Sequence, residues 1–174
     1  MRRLLLFRHA KAERLQPGER DYDRILAASG RADAARLGHY IATHGLRPDH
    51  ALVSPSARTV QTWETASAAF KPSPATEDER IYDASTATLF EIAAGALPGA
   101  TSVMLVGHNP GLHELAIRLI AAGDIDARER LHEELPPSGL VVIDFALDAW
   151  AKLHSQSGRL ERFVTPKTLD GAAN

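Results

Sequence analysis

Apolar and polar positions fall in blocks along the chain, and the length and spacing of each block select an element. Leu4 to Phe7 are consecutive apolar residues, too few for a helix core but the length of a strand buried on both faces. His50–Val53, Ser102–Val106 and Leu140–Phe145 have the same character and predict three more short buried strands. Gly158–Val164 alternates weakly and predicts a polar edge strand. Between these runs the apolar positions recur at helical spacing. Ala32, Ala35, Leu37, Tyr40 and Ile41 predict a helix opened by Ser29-Gly30, with Ser29 as its N-cap, and closed at Gly45. A second helix is predicted from Pro55 or Ser56 to about Phe70, and a third over Thr86–Ala96, stopped by Pro98-Gly99. A fourth starts near Pro110 and carries Leu112, Leu115, Ala116, Leu119 and Ile120.

The polar stretches complete the layout. Lys11–Arg24, with Pro17-Gly18, reads as a long loop lying over the end of the first strand. Lys71–Glu77, with Pro72 and Pro74, reads as a connector, Arg80–Tyr82 as a short extended segment, and Gly123–Leu135 as charged and poorly periodic. Strands that alternate with helices predict a three-layer α/β/α fold with a mostly parallel central sheet. One domain over residues 1–165 accounts for the pattern, and the tail 166–174 is expected to fray.

Composition narrows the class. A chain of 174 residues suits a single domain with a sizeable core. A net charge of -2 offers no basic field for nucleic acid or an anionic membrane surface. The absence of cysteine excludes disulfides, thiolate nucleophiles and cysteine metal sites, and fits a reducing compartment. Arg2-Arg3 before four apolar residues is too short a run for a signal peptide, and no stretch approaches a membrane span. A soluble, cytoplasmic protein is expected.

Chemistry enters at the strand ends. Arg8 and His9 follow the first strand, Arg58 lies in the turn after the second, and His108 follows the third. In parallel sheets ligands bind beyond the carboxyl ends of the strands. Two guanidiniums can hold a phosphoryl group by paired, charge-assisted hydrogen bonds. A neutral imidazole can attack phosphorus if its other nitrogen donates to a fixed carbonyl. A second histidine can donate to the phosphoryl oxygens in the transition state. The remaining histidines, His39, His44, His50, His132 and His154, lack ligand spacing and are expected on helix surfaces or turns. His108 and His113 are not a helical i, i+4 metal pair. No glycine-rich nucleotide fingerprint is present, so no metal or cofactor is expected.

The same stretches resemble a known family. Phe7-Arg8-His9-Ala10 is similar to the Arg-His-Gly signature of the histidine phosphatase (phosphoglycerate mutase-like) superfamily. Leu26-Ala27-Ala28-Ser29-Gly30 with Ala34, Ser54–Thr62, and Val106-Gly107-His108-Asn109-Pro110 resemble its later blocks, in the family's order. Arg-His-Ala-Lys-Ala and the short length look most like the SixA branch, the bacterial phosphohistidine phosphatases. The resemblance implies a phosphoglycerate mutase-like fold, His9 as the phosphorylated nucleophile, and Arg8, Arg58 and His108 as the phosphate pocket. Ala10 departs from the usual glycine, so the turn after His9 must be one that alanine tolerates. Glu79-Arg80-Ile81-Tyr82 resembles the segment in which related mutases place a glutamate. Glu79 is therefore the first candidate for the leaving-group acid, with Asp83 second. The resemblance implies hydrolysis of phosphohistidine on a protein such as a histidine phosphotransfer domain. A small-molecule phosphomonoesterase and a non-catalytic phosphate-binding module are the alternatives, and neither nucleic acid nor membrane is an expected partner.

Overall fold

The computed structural model describes residues 1–172. Seven strands and six helices follow in the order β1 (Arg2–Arg8), α1 (Ala28–Thr43), β2 (His50–Val53), α2 (Ala57–Ser67), β3 (Ala75–Glu77), α3 (Thr86–Ala94), β4 (Ser102–Gly107), α4 (Gly111–Leu119), β5 (Ile120–Gly123), α5 (Ile125–Glu133), β6 (Leu140–Phe145), β7 (Gly158–Val164) and α6 (Pro166–Ala172). They form one sheet in the order β3-β2-β4-β1-β6-β7-β5. β1 runs parallel to β4, β4 to β2 and β2 to β3, whereas β6 is antiparallel to both β1 and β7. The mostly parallel three-layer α/β/α architecture expected from the block pattern is present.

β1 is central because every residue from Leu4 to Phe7 is fully buried. Successive side chains point to opposite faces of a strand. Leu5 and Phe7 pack with Met104, Val106, Ala51 and Val53 against Leu37 and Ile41 of α1 and Ala66 of α2. Leu4 and Leu6 pack with Val103 and Leu105 against Leu89 and Ile92 of α3 and Leu112 and Leu115 of α4. Helices on both faces leave only the strand ends for polar chemistry. α1 and α2 approach closely at Gly38, where a Cβ would lie 2.1 Å from the Ala66 carbonyl oxygen.

Several local expectations change. α1 begins at Ala28 with Ala27 as an uncapped N-cap, so Ser29 lies inside the first turn. Its inward face is Gly30, Ala34, Leu37, Gly38 and Ile41, whereas Ala32 and Ala35 are exposed. Two small glycines are buried there, and an apolar count skips glycine. α2 ends at Ser67 and α3 at Ala94, each short of the predicted stop. The connector before Asp78 contains the edge strand β3, whose residues are all exposed and show no hydrophobic signal. Glu79–Ile81 is a 3-10 turn rather than an extended segment.

The charged stretch 123–135 holds α5, capped by the Asp124 carboxylate on the Ala127 N–H. β7 is not an edge: β5, formed by the end of the α4 apolar run, pairs outside it. His50 is buried in β2, its Nε2 3.0 Å from the Thr76 hydroxyl. The expected frayed tail is instead helical as far as Ala172. Thr165 and Thr168 cap its start, and Arg36 pairs with Asp170 at 2.6 Å. Residues 173 and 174 lie outside the described residues.

Candidate active site

Sheet register brings the chemistry together. Arg8 pairs level with Gly107 and Val53 with Val106, so β1, β4 and β2 end side by side. The next residues are His9, His108 and Ser54. Their backbones continue the ladder, with the His9 N–H donating to the Gly107 carbonyl and the Ser54 N–H to the Val106 carbonyl. Arg58 arrives from the first turn of α2, 6% exposed. The imidazoles of His9 and His108 face each other with ring centroids 5.3 Å apart. All four residues read from the strand ends therefore meet.

His9 Nδ1 lies 2.7 Å from the Ala10 carbonyl oxygen. A carbonyl only accepts, so Nδ1 carries the hydrogen and the Nε2 lone pair is free. Burial, opposed by that hydrogen bond and aided by Arg58, Arg8 and Arg24, pulls the His9 pKa from 6.5 down to about 4. His9 is neutral at pH 7. Ala10 is fully buried and absent from the positive-φ residues, and its N–H donates to Thr62 Oγ1 at 2.9 Å. The turn after His9 is thus one that alanine adopts without strain.

His108 is held from both sides. Arg58 Nη2, which can only donate, lies 3.3 Å from His108 Nδ1. Nε2 then carries the hydrogen and donates to Ser54 Oγ at 2.8 Å. Burial, reinforced by His9 and Arg58, lowers the His108 pKa to about 3. On the other side of the pocket, Arg8 Nη1 donates to the Leu135 carbonyl at 3.0 Å, and Asn109 Nδ2 donates to the same oxygen at 2.8 Å. Ser138, at φ +62°, donates its N–H to the His9 carbonyl, which fixes the backbone beneath that imidazole.

The loop over β1 contributes more than a cover. Asp21, in the 3-10 turn Asp21–Asp23, accepts from Arg58 twice: Nη1 donates to its carbonyl at 2.8 Å and Nη2 to Oδ2 at 3.0 Å. The Tyr82 hydroxyl donates to the same Oδ2 at 2.8 Å. The Tyr82 ring stands edge-on to His108, with centroids 5.5 Å apart, and edge-on to Tyr22 at 5.1 Å. Partial burial of the Asp21 carboxyl is outweighed by the Tyr82 hydroxyl, Arg58 and Arg24, which hold its pKa below the usual range.

Asp21 and Tyr82 were not singled out from the sequence. An aspartate in a polar loop resembles its neighbours Glu19 and Asp23 until the fold lays it against Arg58. Glu79, the expected acid, is exposed, and among the described residues it makes no hydrogen bond or ion pair with His9, Arg8, Arg58 or His108. Asp83 is also exposed. Among the described residues no group of three or more His, Asp or Glu side chains is arranged to hold a metal ion.

The mostly parallel sheet, with two histidines and two arginines gathered at three adjacent strand ends, is an architecture of the phosphoglycerate mutase-like kind. The chain belongs to the histidine phosphatase superfamily (branch 1), which it matches over residues 4–102. Within it the chain is of the SixA type. It is 33% identical to a candidate phosphohistidine phosphatase SixA from Agrobacterium tumefaciens, over 95% of this chain and 98% of that one, with a TM-score of 0.78. The protein histidine phosphatase SixA solved with tungstate shares the fold at 19% identity, over 96% of this chain and 99% of that one, with a TM-score of 0.70. An uncharacterized protein of Mycobacterium tuberculosis is 32% identical over 92% of this chain and 99% of its own length.

Proposed function

We propose that the protein hydrolyses phosphohistidine on a protein through a phosphoryl intermediate on His9. The observation that carries the reading is the tautomer of His9. Its Nδ1–H is committed to the Ala10 carbonyl and its Nε2 lone pair is free, beside two guanidiniums that can hold a dianion. Arg8 and Arg58 bind the transferring group, and the Nη hydrogen that Arg58 now directs at His108 can turn to a phosphoryl oxygen. A dianion there favours a proton on His108 Nδ1, which makes that imidazole a donor to the transition state. Water then discharges phospho-His9.

The choice of phosphohistidine rests on two supports. One is the 33% identity to the Agrobacterium tumefaciens protein across nearly the whole chain. The other is the chemistry of the leaving side. An alkyl phosphate needs an acid to protonate its alkoxide, whereas Asp21 is ionised and Glu79 is exposed without a partner in the site. A phosphorylated imidazole leaves without that help. The carrier would be a protein such as a histidine phosphotransfer domain. Among the described residues no helix is long and apolar enough to cross a membrane.

The test is single-turnover dephosphorylation of a phosphohistidine phosphotransfer domain, with rapid quench. The wild type should show a transient acid-labile phosphoryl group on the enzyme that is missing in His9→Ala. Turnover of sugar phosphates with none on the phosphoprotein would move the function to small molecules. Transfer without hydrolysis would make the protein a phosphate carrier.

A further inference from the structure

We infer that Asp21 and the ring of Tyr82 form a leaving-group subsite for a protonated imidazole, with the Asp21 carboxylate accepting the free ring N–H of a phosphohistidine substrate. The inference rests on the phosphohistidine reading above and states how the site would select that substrate.

Position is the first support. His9 sits at the floor of the pocket and is 8% exposed, while the Asp21 side chain is 44% exposed and lies outward of Arg58, which is nearly buried. In-line displacement requires the leaving group to enter opposite the nucleophile, and Asp21 and Tyr82 border the phosphate pocket at its outer members, Asp21 on Arg58 and Tyr82 on both Asp21 and His108. The second support is how the carboxylate is held. Oδ2 takes hydrogen bonds from Tyr82 and Arg58, while Oδ1 meets only the Arg24 guanidinium, through Nε and Nη2 at 3.0 Å each, a solvent-facing pair that a substrate N–H can displace. The third is the surface beside it. Tyr22 and Tyr82, edge to face, border the carboxylate with aromatic area that suits a flat heteroaromatic ring. The charged and titratable groups facing Asp21 are Arg24 from its own loop, Arg58 from α2, Tyr82 from the turn before α3, and His108 from the end of β4.

The step balances without an acid. The substrate ring carries the phosphoryl group on one nitrogen and a proton on the other, and that N–H rests on Asp21. As the bond from His9 Nε2 to phosphorus forms, the substrate P–N bond breaks, and its electron pair stays on the departing ring nitrogen. The ring leaves as neutral imidazole and keeps its N–H. His9 keeps its Nδ1–H on the Ala10 carbonyl and takes up the positive charge. An alkyl phosphate offers no N–H to Asp21 and gains nothing from it.

The experiment compares kcat/KM for a phosphohistidine peptide and for p-nitrophenyl phosphate, in wild type and Asp21→Asn. The amide oxygen can still accept from Arg58 and Tyr82, so any effect on Arg58 lowers both substrates together. The ratio of the two constants isolates the charge. Loss of a charge-assisted hydrogen bond should lower that ratio by about tenfold or more. In the variant, phosphohistidine turnover should also begin its alkaline decline at lower pH. A parallel fall for both substrates, or no fall, overturns the subsite. A wild type inactive on the peptide but active on p-nitrophenyl phosphate overturns the underlying reading instead. If Asp21→Asn does not fold, free imidazole added to wild-type phosphoenzyme serves. Capture of the phosphoryl group as phosphoimidazole supports the subsite, and loss to water alone refutes it.

Discussion

Acidification from pH 7 to pH 5 should remove about 4 kcal/mol of folding stability, and the loss should come from the two site histidines. Burial holds His9 at about 4 and His108 at about 3, against 6.5 for a free imidazole. Both pKa values are lowered on folding, so the unfolded chain binds the protons first. Their contribution is complete above pH 6.5 and is lost as pH falls through the window toward pH 4 for His9 and pH 3 for His108. At pH 5 each unfolded imidazole is protonated and each folded one is not, and the difference is about 2 kcal/mol per histidine at roughly 1.4 kcal/mol per pH unit. The carboxyls of Asp21, Asp49 and Asp78 are lowered from an ordinary value of 3.8, so they add little to the change between pH 7 and pH 5. Urea unfolding at pH 7, 6 and 5, in wild type and His108→Asn, measures the slope. The variant should lose about half of the pH dependence, whatever its stability at pH 7. A wild-type stability flat between pH 7 and 5, or a slope unchanged in the variant, would refute the neutral pair and with it the free Nε2 of His9.

Two other outcomes follow from the geometry. Glu79→Gln should change kcat/KM for a phosphohistidine protein by less than about threefold in steady-state assays, since an exposed carboxylate without a partner in the site offers little to lose; a hundredfold loss would make Glu79 the acid after all. Gly38→Ala should destabilise the fold by about 2 kcal/mol or more in thermal or urea denaturation, because the new methyl must push the Ala66 carbonyl from 2.1 Å and part α1 from α2.

The strands with unbroken apolar runs were legible because burial on both faces leaves no room for polar residues, and such runs have one reading. β2 and β6 fall on their predicted bounds for this reason. Where burial is partial the pattern fades. β3 is exposed throughout and is made by its ladder to β2, a pairing 24 residues away at Ala51 and Ala75. The inward face of α1 was misread because close helix packing selects Gly30 and Gly38, which carry no apolar side chain.

The site divides in the same way. Local sequence determined which residues end the strands, and therefore that Arg8, His9, Arg58 and His108 sit on one rim. Only the tertiary structure decided what surrounds them: Ser54 under His108, Leu135 under Arg8, and Asp21 with Tyr82 over Arg58. The physical reason is range. Strand identity follows from neighbours along the chain, but tautomers, proton affinities and the orientation of a guanidinium follow from hydrogen bonds and burial contributed by residues up to 127 positions away.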